Sequence, residues 1–160
     1  MNSVTFDTGQ ERAAHRHFAV SAYNAVWKLL DKKDRTPAED QQMLAAAFAS
    51  RYHWSFIGDD RNFAIGDWQI AHVASYCGLP KTAHKYASSA LAIVEKNGWR
   101  DWILASVYEG MARASAVGGN DVERGKWLEK AKRECALIAE EDERAIIEQQ
   151  ITTVPECVRA

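Results

Sequence analysis

Apolar residues recur along most of the chain at the three- and four-residue spacing that places them on one face of a helix. Ile70, Val73 and Cys77 show this spacing in the middle of the chain. Between polar turns, the same pattern predicts six principal helices and a shorter seventh. Their approximate ranges are residues 8–32, 37–57, 62–77, 80–96, 100–117, 121–140 and 142–151.

The ends of these helices carry start and stop signals. Thr36, Pro37 and Glu39 have the spacing of a capping box with proline at the first helical position, so a helix begins there. The same cap-to-glutamate spacing opens two further helices, at Thr8–Glu11 and Asn120–Glu123. Glycine accepts the left-handed conformation that ends a helix. The glycines in such positions are Gly78, Gly98, Gly118 and Gly119.

Composition predicts the same fold class. The chain of 160 residues has 26 Ala against 10 Val and 9 Ile, and only 12 residues are Gly or Pro. Alanine is the best helix former, and so few turn residues cannot separate the strands of a large sheet. The loops are short, which makes successive helices antiparallel neighbours. We therefore predict a single all-α domain of antiparallel hairpins over residues 1–151 and a loose tail over residues 152–160.

Charge and hydropathy argue against nucleic-acid-binding and membrane proteins. The 20 basic and 22 acidic residues are interspersed and give a formal net charge of −2, so no basic face suited to nucleic acid is expected. No apolar run approaches the roughly 20 residues that span a bilayer, and the first residues have no apolar signal core. Cys77, Cys135 and Cys157 are odd in number and far apart, as expected of reduced thiols. These features predict a cytoplasmic protein without nucleic-acid or membrane partners.

An internal repeat suggests a family. Aligning Gly78 with Gly119 also aligns an aromatic residue and an alanine in the two helices that follow. Residues 64–97 have a large aromatic side chain, small residues where helices cross, a turn glycine, and then Ala, aromatic, Ala and Leu. These positions are Trp68, Ile70, Ala71, Gly78, Ala83, Tyr86, Ala90 and Leu91. The segment resembles a tetratricopeptide repeat, and residues 103–137 resemble a second copy.

A longer part of the chain, residues 45–140, is similar to a group of small bacterial tetratricopeptide-like proteins with no assigned activity. The stretches that carry the similarity are Arg51–Trp54, Gly58, Asn62, Gly66–Ile70 and Tyr108–Ala114. The resemblance implies hairpins stacked as a short right-handed superhelix, whose alternate helices line a concave face. It implies a binding scaffold and no particular chemistry.

A polar and aromatic cluster surrounds the turn between the second and third helices. Together, an indole, an imidazole, an amide and a carboxylate suit a small polar ligand or the end of a peptide. The candidate binding residues are Arg51, His53, Trp54, Asn62, Trp68 and Glu109. A structural interpretation competes with this one. In it, Asp59 or Asp60 caps the third helix, Trp68 is a packing residue, and Glu109 pairs with Arg113 on a helix surface.

Other chemistry has little support in the sequence. His15 and His17 diverge by about 200° on a helix, and no His-x-x-x-His or Glu-x-x-His pair occurs. No glycine-rich phosphate loop or nucleophile elbow is present. Cys77 falls at a helix C-terminus, where the helix dipole raises the pKa of a thiol, so an inert core thiol is expected. We predict no catalytic residue, no metal and no cofactor.

These observations favour a non-catalytic scaffold that binds a peptide, a protein segment or a second copy of itself through its concave helical face. The alternative is a small enzyme or small-molecule sensor that uses the same pocket, with His53 as general base and Glu109 orienting it. A third hypothesis is a homodimer, because Ile146, Ile147 and Ile151 form an apolar edge that a second copy can cover.

Overall fold

A computed structural model describes residues 9–157 of the chain. Within this range the structure is all-helical, with seven helices and no β-strand. In chain order the helices are α1 (Gly9–Leu30), α2 (Pro37–Ile57), α3 (Asp60–Tyr76), α4 (Pro80–Asn97), α5 (Trp102–Val117), α6 (Asp121–Cys135) and α7 (Glu141–Thr152). The predicted all-α fold class is confirmed.

The helix-end signals act as predicted. At the start of α2, the backbone N–H of Glu39 donates to Thr36 Oγ1 (3.3 Å) and the backbone N–H of Thr36 donates to Glu39 Oε2 (2.9 Å). At the start of α6, the backbone N–H of Glu123 donates to Asn120 Oδ1 (3.1 Å). The cap predicted at Thr8 lies outside the described residues. Three glycines after helices have φ between 64° and 75°, a left-handed conformation that costs glycine little: Gly78, Gly98 and Gly119.

The end of α6 differs from the sequence prediction. The helix ends at Cys135, well before residue 140. No glycine or proline marks this stop, so the sequence does not signal it. Arg144 Nη1 donates to the carbonyl oxygen of Ile138 (2.9 Å), and the Ile138 side chain is buried. Tertiary packing and a side-chain hydrogen bond therefore stabilise the turn that ends α6.

The chain forms two compact units, and the boundary between them falls within α3, after Phe63. The described part of the first unit is the α1–α2 hairpin with the start of α3. Inside this antiparallel hairpin, Ser50 Oγ donates to the carbonyl oxygen of Ala19 (2.9 Å). Few residues of α1 and α2 are buried, and most of their side chains are small. They are Ala19, Val26, Met43, Ala47 and Ser50.

The second unit is built around α5. Thirteen of the sixteen residues of α5 are buried, and this helix contacts α4, α6 and α7. A helix that is small and apolar on nearly all sides is expected to be internal. Gly110 lets α5 approach α3 closely, because a Cβ atom at this position would lie 3.0 Å from Cδ1 of Trp68.

The apolar edge predicted on the last helix is mostly internal. Ile147 and Ile151 are four residues apart, which places them on one helix face, and both are buried in a core formed by α5, α6 and α7. Ile146 points away from that core and is 58% exposed. The interpretation of all three isoleucines as a free edge is therefore wrong for Ile147 and Ile151.

Described residues of the predicted tail also contact the second unit. Val154 is buried, and Arg124 Nε donates to the carbonyl oxygen of Pro155 (2.6 Å). The single domain predicted over residues 1–151 stays a prediction.

Candidate functional site

The six predicted binding residues are divided between the two units. The first unit contains Arg51, His53, Trp54 and Asn62, and the second contains Trp68 and Glu109. The members in the first unit are partly exposed, whereas the two in the second unit are buried. The two groups therefore have different surroundings.

Asn62 has a structural role at the start of α3. Its Oδ1 accepts a hydrogen bond from the backbone N–H of Asp59 (3.1 Å), and Asp59 Oδ1 accepts from the backbone N–H of Asn62 (3.1 Å). The backbone N–H of Arg61 also donates to Asp59 Oδ1 (3.0 Å). This reciprocal pair is a capping box. The structural interpretation of Asp59 as the helix cap is confirmed, and Asn62 completes the cap.

Five rings of α1 and α2 pack together and form what we call the hairpin aromatic cluster: His15, Phe18, Tyr52, His53 and Phe56. The His15 ring stacks on Phe56 with centroids 4.3 Å apart. The His53 ring contacts Phe18 and Tyr52 at 5.4 and 5.5 Å. The Nδ1 atoms of His15 and His53 are 2.9 Å apart, so one imidazole donates a hydrogen bond to the other.

The hairpin aromatic cluster is open to solvent. Phe18 is 53% exposed and Tyr52 is 60% exposed. A cavity of about 260 Å³ lies beside them, lined by Glu11, Ala14, His15, Phe18 and His53. A single exposed apolar side chain is ordinary on a protein surface, but contiguous exposed rings beside a cavity are typical of a binding surface.

The surroundings of His53 favour its neutral form. Partial burial lowers the pKa of His53 below its ordinary value, and the nearby His15 lowers it further, because two imidazolium ions repel each other. A neutral imidazole keeps one nitrogen lone pair and one N–H. Because Nδ1 of His53 is bonded to His15, Nε2 is the nitrogen that remains, and it accepts a hydrogen bond in the tautomer in which Nδ1–H donates to His15.

Arg51 and Trp54 take part in cation–π contacts. The guanidinium carbon of Arg51 lies 4.4 Å from the ring centroid of Phe63, and that of Arg16 lies 5.7 Å from the ring of Trp54. Both contacts place a positive charge on aromatic surface. Arg16 and Trp54 directly follow His15 and His53 in sequence, so the flank of the cluster is cationic.

Glu109 and Arg113 form an ion pair in the interior of the second unit, with side-chain exposures of 0% and 2%. Glu109 Oε1 accepts from Arg113 Nε (2.7 Å) and lies 2.6 Å from Nη2. Arg113 also donates to the carbonyl oxygens of Gln150 (3.1 Å) and Thr153 (3.2 Å) and to Thr153 Oγ1 (2.8 Å). The sequence predicted the partners of this ion pair correctly and its location wrongly, since the pair is buried.

His72 of α3 lies beside the other oxygen of Glu109, with 3.7 Å between Nδ1 and Oε2. Burial lowers the pKa of His72 below its ordinary range, against an opposing effect of Glu109. Burial alone would raise the pKa of Glu109, but the charge of Arg113 and the proximity of His72 outweigh it and keep that pKa low. The group is a carboxylate, a guanidinium and a neutral imidazole that connect α3 and α5 to the end of α7.

Trp68 belongs to the same interior. Its ring centroid lies 5.5 Å from that of His72, and its edge fits against Gly110 of α5. The side chain is 4% exposed. The interpretation of Trp68 as a packing residue is therefore confirmed.

A second cavity of about 260 Å³ lies in the second unit, between the starts of α4 and α6 and the end of α5. Its walls include Pro80, His84, Met111 and Trp127. None of the six predicted binding residues lines this cavity.

The described residues offer no metal site and no membrane-spanning helix, and their cysteines are free thiols. Among residues 9–157, no group of three or more histidine, cysteine, aspartate or glutamate side chains is arranged to hold a metal ion. In the same range, no helix has both the length and the apolar character needed to cross a membrane. Cys135 is buried, and burial raises the pKa of its thiol. Cys77, expected to be a core thiol, is only partly buried.

The sequence-based candidates include His53 and omit the other four members of the cluster, His15, Phe18, Tyr52 and Phe56. A usable signal was present in the hairpin register. In an antiparallel hairpin, facing positions have a nearly constant sum of residue numbers. The predicted end of the first helix at residue 32 and start of the second at residue 37 set that sum at 69, and the bond between Ala19 and Ser50 has the same sum. His15 and His53, with a sum of 68, therefore face each other.

The chain was compared with protein-family models, with curated proteins and with solved structures, and no match was found in any of the three comparisons.

Proposed function

We propose that this protein is a non-catalytic helical scaffold that binds a peptide or protein segment, with the hairpin aromatic cluster as its contact surface. The observation that carries the proposal is the group of exposed, mutually packed rings beside a cavity on the α1–α2 hairpin. A few residues carry most of the binding energy at a protein interface, and Trp, Tyr and Arg are frequent among them. Two of the predicted residues, His53 and Trp54, belong to this cluster or its flank, whereas Arg51 contacts Phe63.

The tetratricopeptide-like arrangement is part of the same proposal. Stacked helical hairpins bind their partners through side chains on exposed helix faces. The antiparallel α1–α2 hairpin and the close helix crossing at Gly110 support such an arrangement. In this proposal the cluster belongs to the binding face of the stack.

The chemistry of the surface suggests what the partner carries. A cavity of about 260 Å³ with mostly apolar walls suits one large aliphatic or aromatic side chain. The neutral imidazole of His53 can accept a hydrogen bond from a backbone N–H of the partner. Arg16, which lies beside Trp54 on the flank of the cluster, favours acidic residues beside the anchoring side chain. The partner is thus a segment with one large apolar anchor and acidic neighbours.

A catalytic role for the predicted pocket has no comparable support. Glu109, which would orient His53 in the enzyme hypothesis, is completely buried and bonded to Arg113. Its ionised carboxylate is used to hold the interior of the second unit together. We therefore assign the predicted carboxylate to structure and the rings of the first unit to binding.

The proposal is tested by selecting peptides from a random display library on the purified full-length protein. We expect the selected sequences to share a large apolar residue with acidic neighbours. Backbone amide shifts should then move on titration with a synthetic peptide, mainly around His15, Phe18 and residues 52–56. A selection that yields no common sequence, or amide shifts concentrated around the cavity near Trp127, would overturn it.

A further inference from the structure

We propose that the paired imidazoles of His15 and His53 are a proton-operated switch, which holds α1 and α2 together at the hairpin aromatic cluster and releases them when both rings are charged. The observation that carries the proposal is the distance of 2.9 Å between the two Nδ1 atoms, one from each helix. The switch acts on the contact between the two helices and stands independently of what the cluster binds.

The pair can take up one proton without losing its hydrogen bond. In the neutral pair, the Nδ1–H of one ring donates to the bare Nδ1 of the other ring. An added proton goes to Nε2 of the donating ring, and the Nδ1–H of that ring continues to donate. The donor is then an imidazolium ion, so the hydrogen bond is charge-assisted and stronger than in the neutral pair.

A second proton breaks the bond. The accepting Nδ1 is the last nitrogen without a hydrogen, so its protonation sets two N–H groups against each other with no acceptor between them. The two imidazolium ions then repel each other across the hairpin. Partial burial and the charge of His15 both lower the pKa of His53, as this mechanism requires. The bond is therefore intact above about pH 6.5, the ordinary pKa of histidine, and is lost as the pH falls below it.

The charges around the pair do not offset a second proton. On α1 and α2, the charged or titratable side chains within one helical turn of either histidine are Glu11, Arg12, Arg16, His17, Arg51 and Tyr52. At the start of α3, in the same unit, they are Asp59, Asp60 and Arg61. The four arginines outnumber the three carboxylates, and solvent screens the exposed carboxylate of Glu11. These surroundings favour one added charge at the pair over two.

Opening of the pair affects the other rings, because the two imidazoles make contacts across the hairpin. His15 of α1 stacks on Phe56 of α2, and His53 of α2 contacts Phe18 of α1. When the imidazoles separate, both contacts are lost together. The peptide-binding surface is thus assembled near neutral pH and dispersed in acid. That consequence rests on the proposed function, whereas the opening itself does not.

Proton NMR of the full chain without peptide, recorded from about pH 8 to about pH 5, tests the switch. The nuclear Overhauser cross-peaks to follow join the rings of His15 and Phe56 and the rings of Phe18 and His53, whose centroids are 4.3 and 5.4 Å apart. We expect both cross-peaks to be present at neutral pH and to disappear together as the second imidazole becomes charged. The helicity measured by circular dichroism should stay constant over the same range.

Asparagine variants separate loss of the bond from charging alone. The side-chain oxygen of asparagine lies near the position of Nδ1, accepts a hydrogen bond and does not titrate. In His53→Asn, a charged His15 can still donate, so its cross-peak with Phe56 should persist in acid. In His15→Asn, the cross-peak between Phe18 and His53 should persist, and the pKa of His53 should rise. His17→Asn removes an exposed histidine beside Phe18 and should behave as the parent.

The proposal is overturned if the parent keeps both cross-peaks after both imidazoles are charged. It is also overturned if a folded asparagine variant at position 15 or 53 loses its remaining cross-peak in acid as the parent does. If neither variant folds, the parent titration alone decides. A failed peptide selection does not affect this outcome, because no peptide is present.

Discussion

Arg113 connects separate parts of the second unit through one guanidinium group. It pairs with Glu109 on its own helix and donates to backbone and side-chain oxygens of Gln150 and Thr153. Removing one partner of a buried ion pair leaves an uncompensated charge in the interior. Arg113 therefore helps to hold the end of α7 against α5.

We expect Arg113→Ala to lower the free energy of unfolding by about 3–5 kcal/mol, because Glu109 is then left ionised and buried. Lys132→Ala is the matched control, since it breaks an ion pair with Glu129 that is exposed on both sides and should cost about 1 kcal/mol or less. Urea denaturation followed by circular dichroism measures both. Equal losses for the two variants would contradict the structural role of Arg113.

His72 should make the stability depend on pH. Because burial lowers its pKa in the folded state, the unfolded state binds the proton more readily. This contribution to stability is complete above the unfolded value of about 6.5 and is lost as the pH falls below it. The ordinary pKa of glutamate lies lower, so Glu109 has little influence in this range.

Urea denaturation at about pH 7.5 and about pH 5.5 compares the parent chain with His72→Gln. We expect the parent to lose more stability between the two pH values than the His72→Gln variant does. His84→Gln, which removes an exposed histidine, should behave as the parent. An unchanged pH dependence in His72→Gln would show that His72 is not the titrating group.

The contact between α3 and α5 depends on the glycine at position 110, which has no Cβ atom. Gly110 lies against the edge of Trp68, and an added Cβ would be 3.0 Å from Trp68 Cδ1. Gly125 of α6 has no such neighbour within 4 Å. An added Cβ contacts a neighbouring side chain at Gly110 but not at Gly125. Comparing Gly→Ala substitutions at the two positions therefore distinguishes the effect of packing from the effect of helix propensity.

We expect Gly110→Ala to destabilise the protein by about 1–3 kcal/mol, because α3 and α5 must move apart. Gly125→Ala should instead stabilise it by up to about 1 kcal/mol through helix propensity. Thermal or urea unfolding measures both variants. If Gly110→Ala were as stabilising as Gly125→Ala, the close crossing would be excluded.

The helices themselves were largely predictable from local signals. The capping box at Thr36 and the glycine stops after α3, α4 and α5 involve only neighbouring residues, so they can be read directly from the sequence. The end of α6 could not, because it depends on Arg144 and on the burial of Ile138. Local rules fail where packing between distant residues ends the helix.

The candidate site was less predictable than the helices. His53 and Trp54 were found because polar and aromatic residues are dense near the α2–α3 turn. His15 was omitted because its contact with His53 joins residues 38 positions apart. Glu109 was interpreted as a surface group because an i,i+4 pair is usually exposed. Its burial depends on the packing of α4, α6 and α7 around α5 and on His72 of α3.

Exposed apolar side chains occur in both units of the molecule. Substitutions in the hairpin aromatic cluster can therefore be compared with substitutions of equally exposed apolar residues elsewhere. Phe18 and Tyr52 belong to the hairpin aromatic cluster, whereas Leu137 and Ile146 lie near α7 in the second unit. All four are more than half exposed, so truncating them does not empty the core. Binding can therefore be separated from stability.

The affinity of one selected peptide for two double variants tests the binding surface most directly. We expect Phe18→Ala with Tyr52→Ala to weaken binding by at least about thirtyfold, which corresponds to about 2 kcal/mol. Leu137→Ala with Ile146→Ala should leave the affinity unchanged within about twofold. Fluorescence anisotropy measures both at equal helicity. Unchanged affinity in the first variant, or an equal loss in the second, would contradict the hairpin aromatic cluster as the binding surface.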